Sequence, residues 1–201
     1  DINSIKNLFN LWILNELENC RKKTEQAIKN YKFNEAANEL YKFTWSIFCD
    51  WYLEFAKIIY LSDNKTTIQE TKHTTSLVLS NILIMLHPIM PFFTEYVWDK
   101  ASIILKKDTS RISQSKWPEE ISCKELGSER VNSLISLISS IRSTRAEWNV
   151  PAKTKVKIYY SQVSADLAET IKKNKENVAA LTRSDEFEKK DYLEDKGLVQ
   201  V

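Results

Sequence analysis

The chain has 201 residues, of which 43% are hydrophobic and 28% are charged, a composition that is typical of a folded globular protein and excludes a disordered one. Its 29 Lys and Arg against 27 Asp and Glu give a net charge of +2, so polyanion binding would depend on the arrangement of cations and not on their excess. The two glycines, Gly127 and Gly197, are too few and too far apart for a glycine-rich loop that cradles phosphate groups.

The cysteines and the apolar segments indicate a location in the cytoplasm. Cys20, Cys49 and Cys123 are widely spaced, which predicts reduced thiols and neither a disulfide framework nor a zinc site. No signal peptide is recognisable. The most apolar run, residues 77–93, is short and contains two prolines, so it predicts a core helix followed by a turn and not a membrane span. We therefore expect a cytoplasmic protein without a membrane partner.

Apolar residues that recur at intervals of three and four predict five helices. The predicted helices run from 5 to 31, from an N-cap at Asn34 to 59, from a loop at 62–65 to Leu86, onward from Pro91, and over about 127–148. His87–Pro88 ends the third helix, because proline disfavours the helical conformation of the residue before it. Residues 108–125 are polar and predict a loop.

The second helix carries so many aromatic residues that they indicate either a buried face or a surface that binds a ligand. Most of its apolar residues form one wide stripe, which favours core packing in a bundle: Ala36, Ala37, Leu40, Tyr41, Thr44, Ile47, Phe48, Trp51, Tyr52, Phe55, Ile58 and Ile59. Phe43 and Trp45 lie off this stripe. A stacking platform for nucleic-acid bases would suit this pair at most.

After Pro151 the apolar period changes from 3.6 to 2. Residues 155–160 alternate as a β-strand does, and Ser164 can cap a helix whose inner residues reach to Leu181. Residues 186–190 and 198–201 are weaker strand candidates. The sequence therefore predicts a mainly α protein, with an antiparallel helix bundle over residues 1–150 and a small α/β subdomain over 151–201 that we expect to continue beyond the last residue.

Few residues indicate catalysis or metal binding. Asp50 and Glu54 share a helical face and could hold a metal ion, but a solvated or salt-bridged pair is the favoured interpretation. His87 stands alone at a helix end, where a hydrogen bond to a carbonyl is expected. We predict no catalytic residue, no metal ligand and no cofactor for this chain.

Two groups of basic residues remain as candidates for binding nucleic acid. Arg142 and Arg145 continue the apolar stripe of the fifth helix at its C-terminal end. They either cap carbonyls and interact with the helix dipole, or present two rigidly held guanidinium groups to phosphates or bases. Residues 21–23, with Lys29 and Lys32, form a second basic region that is more typical of a solvated face.

Four segments, NEAANELYKFTWSIFCDWYLE, LHPIMPFFTEYVW, WPE and IRSTRAEWNVP, follow one another in the chain. In this order they resemble the C-terminal region of the valyl-tRNA synthetases, class I aminoacyl-tRNA ligases. The resemblance extends from Leu11 to the strand after Pro151, and FCDWYLE at 48–54 is its most specific segment. Tyr96 departs from the family, which often has an acidic residue there.

The resemblance implies that the helical part is an anticodon-binding bundle whose first helix precedes Asp1. The catalytic motifs HIGH and KMSKS, absent from this chain, would lie upstream, so we expect the chain alone to be inactive. A coiled-coil arm would follow Val201. The full enzyme, expected to be a monomer, would join valine to its tRNA using ATP and magnesium. The implied partner is the anticodon loop and stem of a valine tRNA, with no role for DNA.

Within this resemblance, our candidates for contact with tRNA are Trp12, Glu16, Arg142 and Arg145. Core packing is the favoured alternative for Trp12, which lies on the apolar stripe of the first helix. Two rival functions stay open. One is the equivalent domain of an isoleucine or leucine synthetase; the other is a helical protein-interaction module without RNA binding, which predicts an exposed apolar patch on the bundle.

Overall fold

The computed structural model describes residues 4–105, 111–122, 127–151, 153–161 and 163–190. The chain forms two compact units, Asp1–Leu126 and Gly127–Val201. The first is helical, and the second combines helices with two strands, so the predicted mainly α fold with a small α/β part is confirmed. No helix in the described part of the chain combines the length and apolar character that a bilayer crossing requires.

The first unit is an assembly of packed helices. It contains α1 (Leu8–Lys29), α2 (Phe33–Lys42), a π-helix (Phe43–Tyr52), α3 (Leu53–Tyr60), α4 (Lys65–Leu86), α5 (Pro91–Leu105) and a 3₁₀ turn (Ile112–Gln114), with α2, the π-helix and α3 forming one continuous rod. Asn7 and Asn64 cap α1 and α4 by accepting hydrogen bonds from main-chain N–H groups of the first turn.

The predicted N-cap at Asn34 is wrong, because Asn34 is the second residue of α2. The reason lies in the turn before it. Tyr31 adopts a left-handed conformation with φ 59°, and the N–H of Lys32 donates to the carbonyl of Ala27. This Schellman-type end of α1 lets the next helix begin at Phe33, without a side-chain cap.

Aromatic side chains fill the core of the first unit. Phe9 of α1 stacks on Phe55 of α3 with ring centroids 4.1 Å apart, and Trp12 meets the same ring edge-on at 6.3 Å. The predicted buried stripe is confirmed at its central positions: Ala36, Leu40, Phe48, Tyr52, Phe55 and Ile59 are all buried. The aromatics of this helix therefore serve mainly to hold the bundle together.

The stripe is wrong at two positions. Tyr41, predicted to be buried, is 68% exposed, whereas Phe43, predicted to lie off the stripe, is 2% exposed. The cause is the π-helix, whose wider turn is closed by i→i+5 hydrogen bonds and brings Phe43 and Phe48 to the same buried side. Trp45 lies outside the core as predicted, with 58% of its surface exposed.

A buried polar network fixes α1, the π-helix and α4 in register. The Tyr52 hydroxyl donates to Asn10 Oδ1 at 2.9 Å, and Asn10 Nδ2 donates to Glu70 Oε1 at 2.9 Å and Thr71 Oγ1 at 3.1 Å. Burial raises the pKa of Tyr52, so the hydroxyl remains a donor at physiological pH. Each of these buried polar groups has a partner, which avoids the cost of desolvation without a hydrogen bond.

His87 lies between α4 and α5, where its expected carbonyl partner is replaced by a hydroxyl. Its Nδ1 is 2.8 Å from Thr94 Oγ1, and this hydroxyl also donates to the carbonyl of Met90 at 2.9 Å.

Cys20 and Cys49 are free thiols, and burial raises the pKa of Cys20 to about 11, so it stays protonated. Cys123 lies outside the described residues.

The second unit places a helix hairpin beside a small parallel sheet. Its elements are α6 (Ser128–Glu147), β1 (Val156–Tyr160), α7 (Ala165–Lys173), α8 (Lys175–Thr182) and β2 (Ser184–Lys189). The two strands pair in parallel, from Val156 opposite Ser184 to Tyr160 opposite Lys189. The strand predicted at 186–190 is therefore confirmed, whereas the one predicted at 198–201 lies outside the described residues.

Two details of the second unit differ from the predictions. The helix capped by Ser164 is interrupted at Asn174, whose side chain donates to the carbonyl of Thr170, so it forms two short helices. The compact units divide the chain before α6, whereas the sequence predicted a boundary at residue 150. The division follows from packing, because α6 contacts both α7 and α8.

Candidate nucleic-acid interface

Helices α1 and α2 lie antiparallel and form a groove with polar walls. Lys23 of α1 pairs with Glu39 of α2 at 3.5 Å, and the Cys20 thiol lies 3.8 Å from the Glu39 carbonyl oxygen. The groove is lined by Lys22, Lys23, Gln26, Ala27, Asn30, Glu35, Asn38 and Glu39. Ammonium and amide groups along such a groove can contact the phosphates and base edges of a nucleic acid.

Glu16 lies on α1 beside the end of α2 and is half-buried. Burial raises its pKa above the ordinary value of a glutamate, while the charges of Lys23 and Lys42 act in the opposite direction. A carboxyl group in this position accepts hydrogen bonds when ionised and donates one when protonated. It can therefore bond to the edge of a base that reaches the helix pair.

Two exposed rings flank Lys42 at the same end of α2. Tyr41 and Trp45 are four residues apart, and 68% and 58% of their surfaces are exposed. Exposed rings on a packed helix can stack on unpaired bases, and a neighbouring ammonium group can neutralise a phosphate. We call Glu16, Lys23, Tyr41, Lys42 and Trp45 the α1–α2 surface.

Trp12, one turn before Glu16, lies in the core. Its surface is 2% exposed and its ring meets Phe55 edge-on. A side chain at this depth cannot stack on a base without opening the helix pair. The structure thus favours the core interpretation of Trp12, whereas Glu16 is accessible.

Arg142 and Arg145 lie three residues apart near the end of α6, in the second unit. Arg142 Nε donates to the carbonyl of Leu181 at 3.0 Å, in the last turn of α8. Arg145 Nη2 donates to the carbonyls of Thr154 at 2.7 Å and Pro151 at 3.3 Å. Both arginines therefore cap carbonyls, as one interpretation expected, although these carbonyls belong to α8 and the segment after α6.

These hydrogen bonds are compatible with a second role for the guanidinium groups. Arg142 is exposed and Arg145 is half-buried. Within the described part of the chain, Arg145 Nη1 is a buried donor without a hydrogen-bond partner. The main-chain carbonyls of Pro151 and Thr154 orient the Arg145 guanidinium group without neutralising its charge, so a phosphate can still be attracted to it. This contact stays a prediction.

The basic region at 21–23 is mostly occupied by acidic partners. Arg21 is buried and donates to both carboxylate oxygens of Glu18, at 2.8 and 2.9 Å, and to Glu25 at 2.7 Å. The solvated face predicted for this region is thus wrong for Arg21. It is confirmed for its four exposed lysines, each with a nearby carboxylate: Lys22, Lys23, Lys29 and Lys32.

Glu18 is the centre of this ion-pair cluster. It also accepts a hydrogen bond from the N–H of Ile121 at 3.0 Å, which ties α1 to a segment more than a hundred residues away. Burial alone would raise the pKa of Glu18. Hydrogen bonds from Arg21 and Ile121 together with the charge of Arg21 outweigh it and hold the pKa below the ordinary value.

The described residues contain no group of three His, Cys, Asp or Glu side chains that could hold a metal ion. Glu54 forms a salt bridge with Lys57 and Asp50 is exposed, which agrees with the favoured interpretation of this pair. Sequence reasoning did not include Tyr41 and Lys42 among its candidates. The four-residue spacing of Tyr41 and Trp45 was the available signal.

Known proteins with similar sequences are tRNA ligases. The family model for the anticodon-binding domain of tRNA ligases matches residues 10–160, three quarters of the chain. A valine–tRNA ligase of Rhizobium meliloti is 36% identical over 179 residues, which cover 89% of this chain and 19% of the relative. A valine–tRNA ligase of Brucella suis is 41% identical over 143 residues, which cover 71% of this chain and 16% of the relative. One of Agrobacterium fabrum is 32% identical over 192 residues, which cover 96% of this chain and 20% of the relative.

The chain thus spans about a fifth of the length of these relatives. The family match includes the whole α1–α2 surface and the two arginines near the end of α6. The chain belongs to the anticodon-binding domain family of tRNA ligases.

Proposed function

We propose that this chain is the anticodon-binding part of a valine–tRNA ligase and that it binds the anticodon loop and stem of a valine tRNA. The observation that carries the proposal is the family match over residues 10–160, together with the valine–tRNA ligases that resemble most of the chain. The α1–α2 surface supports it, because it combines exposed rings, lysines and a carboxyl group on a rigid helix pair.

In this proposal each group of the surface has a separate task. The rings of Trp45 and Tyr41 stack on unpaired bases of the loop, and Lys42 and Lys23 contact its phosphates. The carboxyl group of Glu16 accepts a hydrogen bond from a base edge and contributes selectivity. Arg142 and Arg145 bind phosphates of the tRNA from the second unit. A few rigid contacts of this kind suit a domain whose net charge is only +2.

The activity of the whole enzyme belongs to the same proposal. The complete ligase joins valine to tRNA with ATP and magnesium in the cytoplasm, as a monomer and without a role for DNA. This chain contains neither HIGH nor KMSKS, so we expect it to bind tRNA without catalysing the ligation.

The rival functions make different predictions about RNA. The equivalent domain of an isoleucine or leucine ligase would prefer another anticodon, whereas a protein-interaction module would not bind RNA in a salt-dependent way. An exposed apolar patch, which the second rival predicts, is present at residues 89–96. A tRNA ligase domain can carry such a patch as well, so RNA binding is the property that decides between them.

The test is a titration of the 201-residue chain with fluorescent anticodon hairpins of valine, isoleucine and leucine tRNAs at several salt concentrations. We expect the valine hairpin to bind best, with affinity that falls as salt rises. Trp45→Ala should weaken binding about 5- to 150-fold, because stacking contributes about 1–3 kcal/mol per base. Phe33→Ala is the matched control, since Phe33 lies on the same rod and is equally exposed, at 59%.

Three results would count against the proposal or a part of it. If no hairpin binds while circular dichroism shows intact helices, the chain is not an anticodon-binding domain in isolation. If the isoleucine or leucine hairpin binds best, the amino acid specificity is wrong but the domain assignment stands. Equal losses for Trp45→Ala and Phe33→Ala would remove Trp45 from the site.

A further inference from the structure

The turn between α4 and α5, together with the first turns of α5, places five apolar side chains in solvent. The exposed fractions are 41% for Ile89, 45% for Met90, 91% for Phe92, 54% for Phe93 and 65% for Tyr96. We call these five residues the apolar patch. With aromatic side chains of about 150–250 Å² each, the patch exposes roughly 600 Å². This equals the largest apolar patches of ordinary monomers, which are often interaction sites.

The patch is held in a fixed conformation. The main-chain N–H groups of Ile89 and Met90 both donate to the carbonyl of Leu86 at 2.9 Å. Thr94 is fully buried beneath the patch, where its hydroxyl donates to the carbonyl of Met90 and contacts His87. Because the exposed side chains extend from an ordered turn and from helix α5, a partner that covers them pays little for ordering the main chain.

The chemistry of the patch fits a protein and not a nucleic acid. Residues 89–96 contain no Lys or Arg and one acidic residue, Glu95. Lys100 lies over the ring of Tyr96, with its Nζ 5.7 Å from the centroid, which leaves this face of the ring occupied.

We propose that the apolar patch is the surface on which this domain docks against an apolar surface of another domain of the same ligase polypeptide. The proposal rests on the proposed function, because the relatives are about five times longer than the part that this chain matches. Each partner in a stable complex of separate proteins buries about 800 Å², more than the patch offers. A domain tethered in the same polypeptide has an effective concentration in the millimolar range, so a smaller surface suffices.

The test is hydroxyl-radical footprinting with mass spectrometry, which compares the 201-residue chain with the full-length ligase that contains it, both without tRNA. Met90, Phe92 and Phe93 should be oxidised at least fivefold more slowly in the full-length ligase. Tyr31 and Phe33, 83% and 59% exposed at the turn between α1 and α2, are the controls and should react at the same rate in both proteins.

A variant series makes the test specific. In the full-length ligase, Phe92→Glu should restore fast oxidation of Met90 and Phe93, whereas Phe33→Glu should leave both protected. The side chain of Phe92 is almost fully exposed, so circular dichroism of the 201-residue chain should not change. Protection that survives Phe92→Glu would overturn the proposal.

Three other results would also overturn it. Equal oxidation in both proteins would show that no other domain covers the patch. Protection of the 201-residue chain that rises with its concentration, together with dimers in sedimentation, would identify a second copy as the occupant. Protection that appears only when the valine hairpin is added would identify RNA. Failed hairpin binding with a protected patch would instead contradict the proposed function alone.

Discussion

Two arginine-bearing regions of this protein use the same side chain in opposite ways. Arg21 of α1 is buried between the carboxylates of Glu18 and Glu25, which offset its charge. Arg145 of α6 donates to main-chain carbonyls of Pro151 and Thr154, which orient the guanidinium group without cancelling its charge. A run of basic residues in the sequence is therefore a poor guide to a nucleic-acid contact, because the partners of each cation decide its role.

The largest expected effect concerns the ion-pair cluster around Arg21. Glu18→Gln should lower the free energy of unfolding by about 3 kcal/mol, because it leaves Arg21 buried with one ion-pair partner fewer and weakens the bond to Ile121. Urea denaturation measures this change. Lys29→Gln, which removes an exposed ion pair with Glu25, is the control and should cost less than about 1 kcal/mol. Equal costs would contradict a structural role for the buried cluster.

Substitution of the two arginines near the end of α6 should change the affinity for RNA much more than the stability of the fold. The double variant Arg142→Ala/Arg145→Ala should reduce the slope of log affinity against log salt by about 0.7–0.9 for each phosphate that the variant no longer neutralises. Arg130→Ala is the matched control, since it removes the same kind of charge from α6 but breaks an exposed pair with Asp166. An equal change of slope in the control would mean that only net charge matters.

Acid should weaken the cluster around Glu18. Its pKa is held below the ordinary value in the folded state, so its contribution is fully present above the unfolded pKa of about 4.3 and is lost as the pH falls through the folded value. The stability difference between the wild type and Glu18→Gln should therefore shrink when urea denaturation is repeated below pH 4. A difference that stays constant from pH 7 to pH 3 would contradict the lowered pKa.

The smallest effect concerns Glu16, whose pKa is raised by burial. A carboxyl group with a raised pKa in the folded state destabilises the fold when ionised, and this cost disappears as the pH falls below the unfolded pKa. Glu16→Gln should therefore stabilise the fold slightly at pH 7, while it weakens hairpin binding. Thermal denaturation tests the expected gain in stability, and hairpin titration of the same sample tests the expected loss of affinity. A loss of stability at pH 7 would contradict the burial argument.

Local signals in the sequence sufficed for most element boundaries. Asn149-Val150-Pro151 follows the end of α6, Pro91 begins α5 and Ser164 caps α7, as predicted from short-range rules. The exchange of Tyr41 and Phe43 between surface and core was not predictable from a period of 3.6, since it follows from the π-helix.

The site was harder to predict than the fold, because its properties depend on distant partners. Glu18, the partner of the buried Arg21, also accepts a hydrogen bond from the N–H of Ile121, 103 residues further along the chain. The exposure of Trp45 was predictable, because Trp45 lies off the apolar stripe of its helix. Glu16 was chosen as a candidate only because it lies near the start of the first helix. The carbonyl partner of Arg142 belongs to Leu181 of α8, whose approach to α6 no spacing in the sequence encodes.

The RNA-binding role proposed for the α1–α2 surface depends above all on the stacking of Tyr41 and Trp45 on unpaired bases of an anticodon loop. Photo-crosslinking can detect this stacking, using a valine tRNA with 4-thiouridine in its anticodon loop and mass spectrometry to identify the peptide attached to it. We predict a crosslink within residues 41–45 that Trp45→Ala reduces and Phe33→Ala does not. A crosslink that falls instead within residues 89–96, or the same yield from Trp45→Ala as from the wild type, would contradict it.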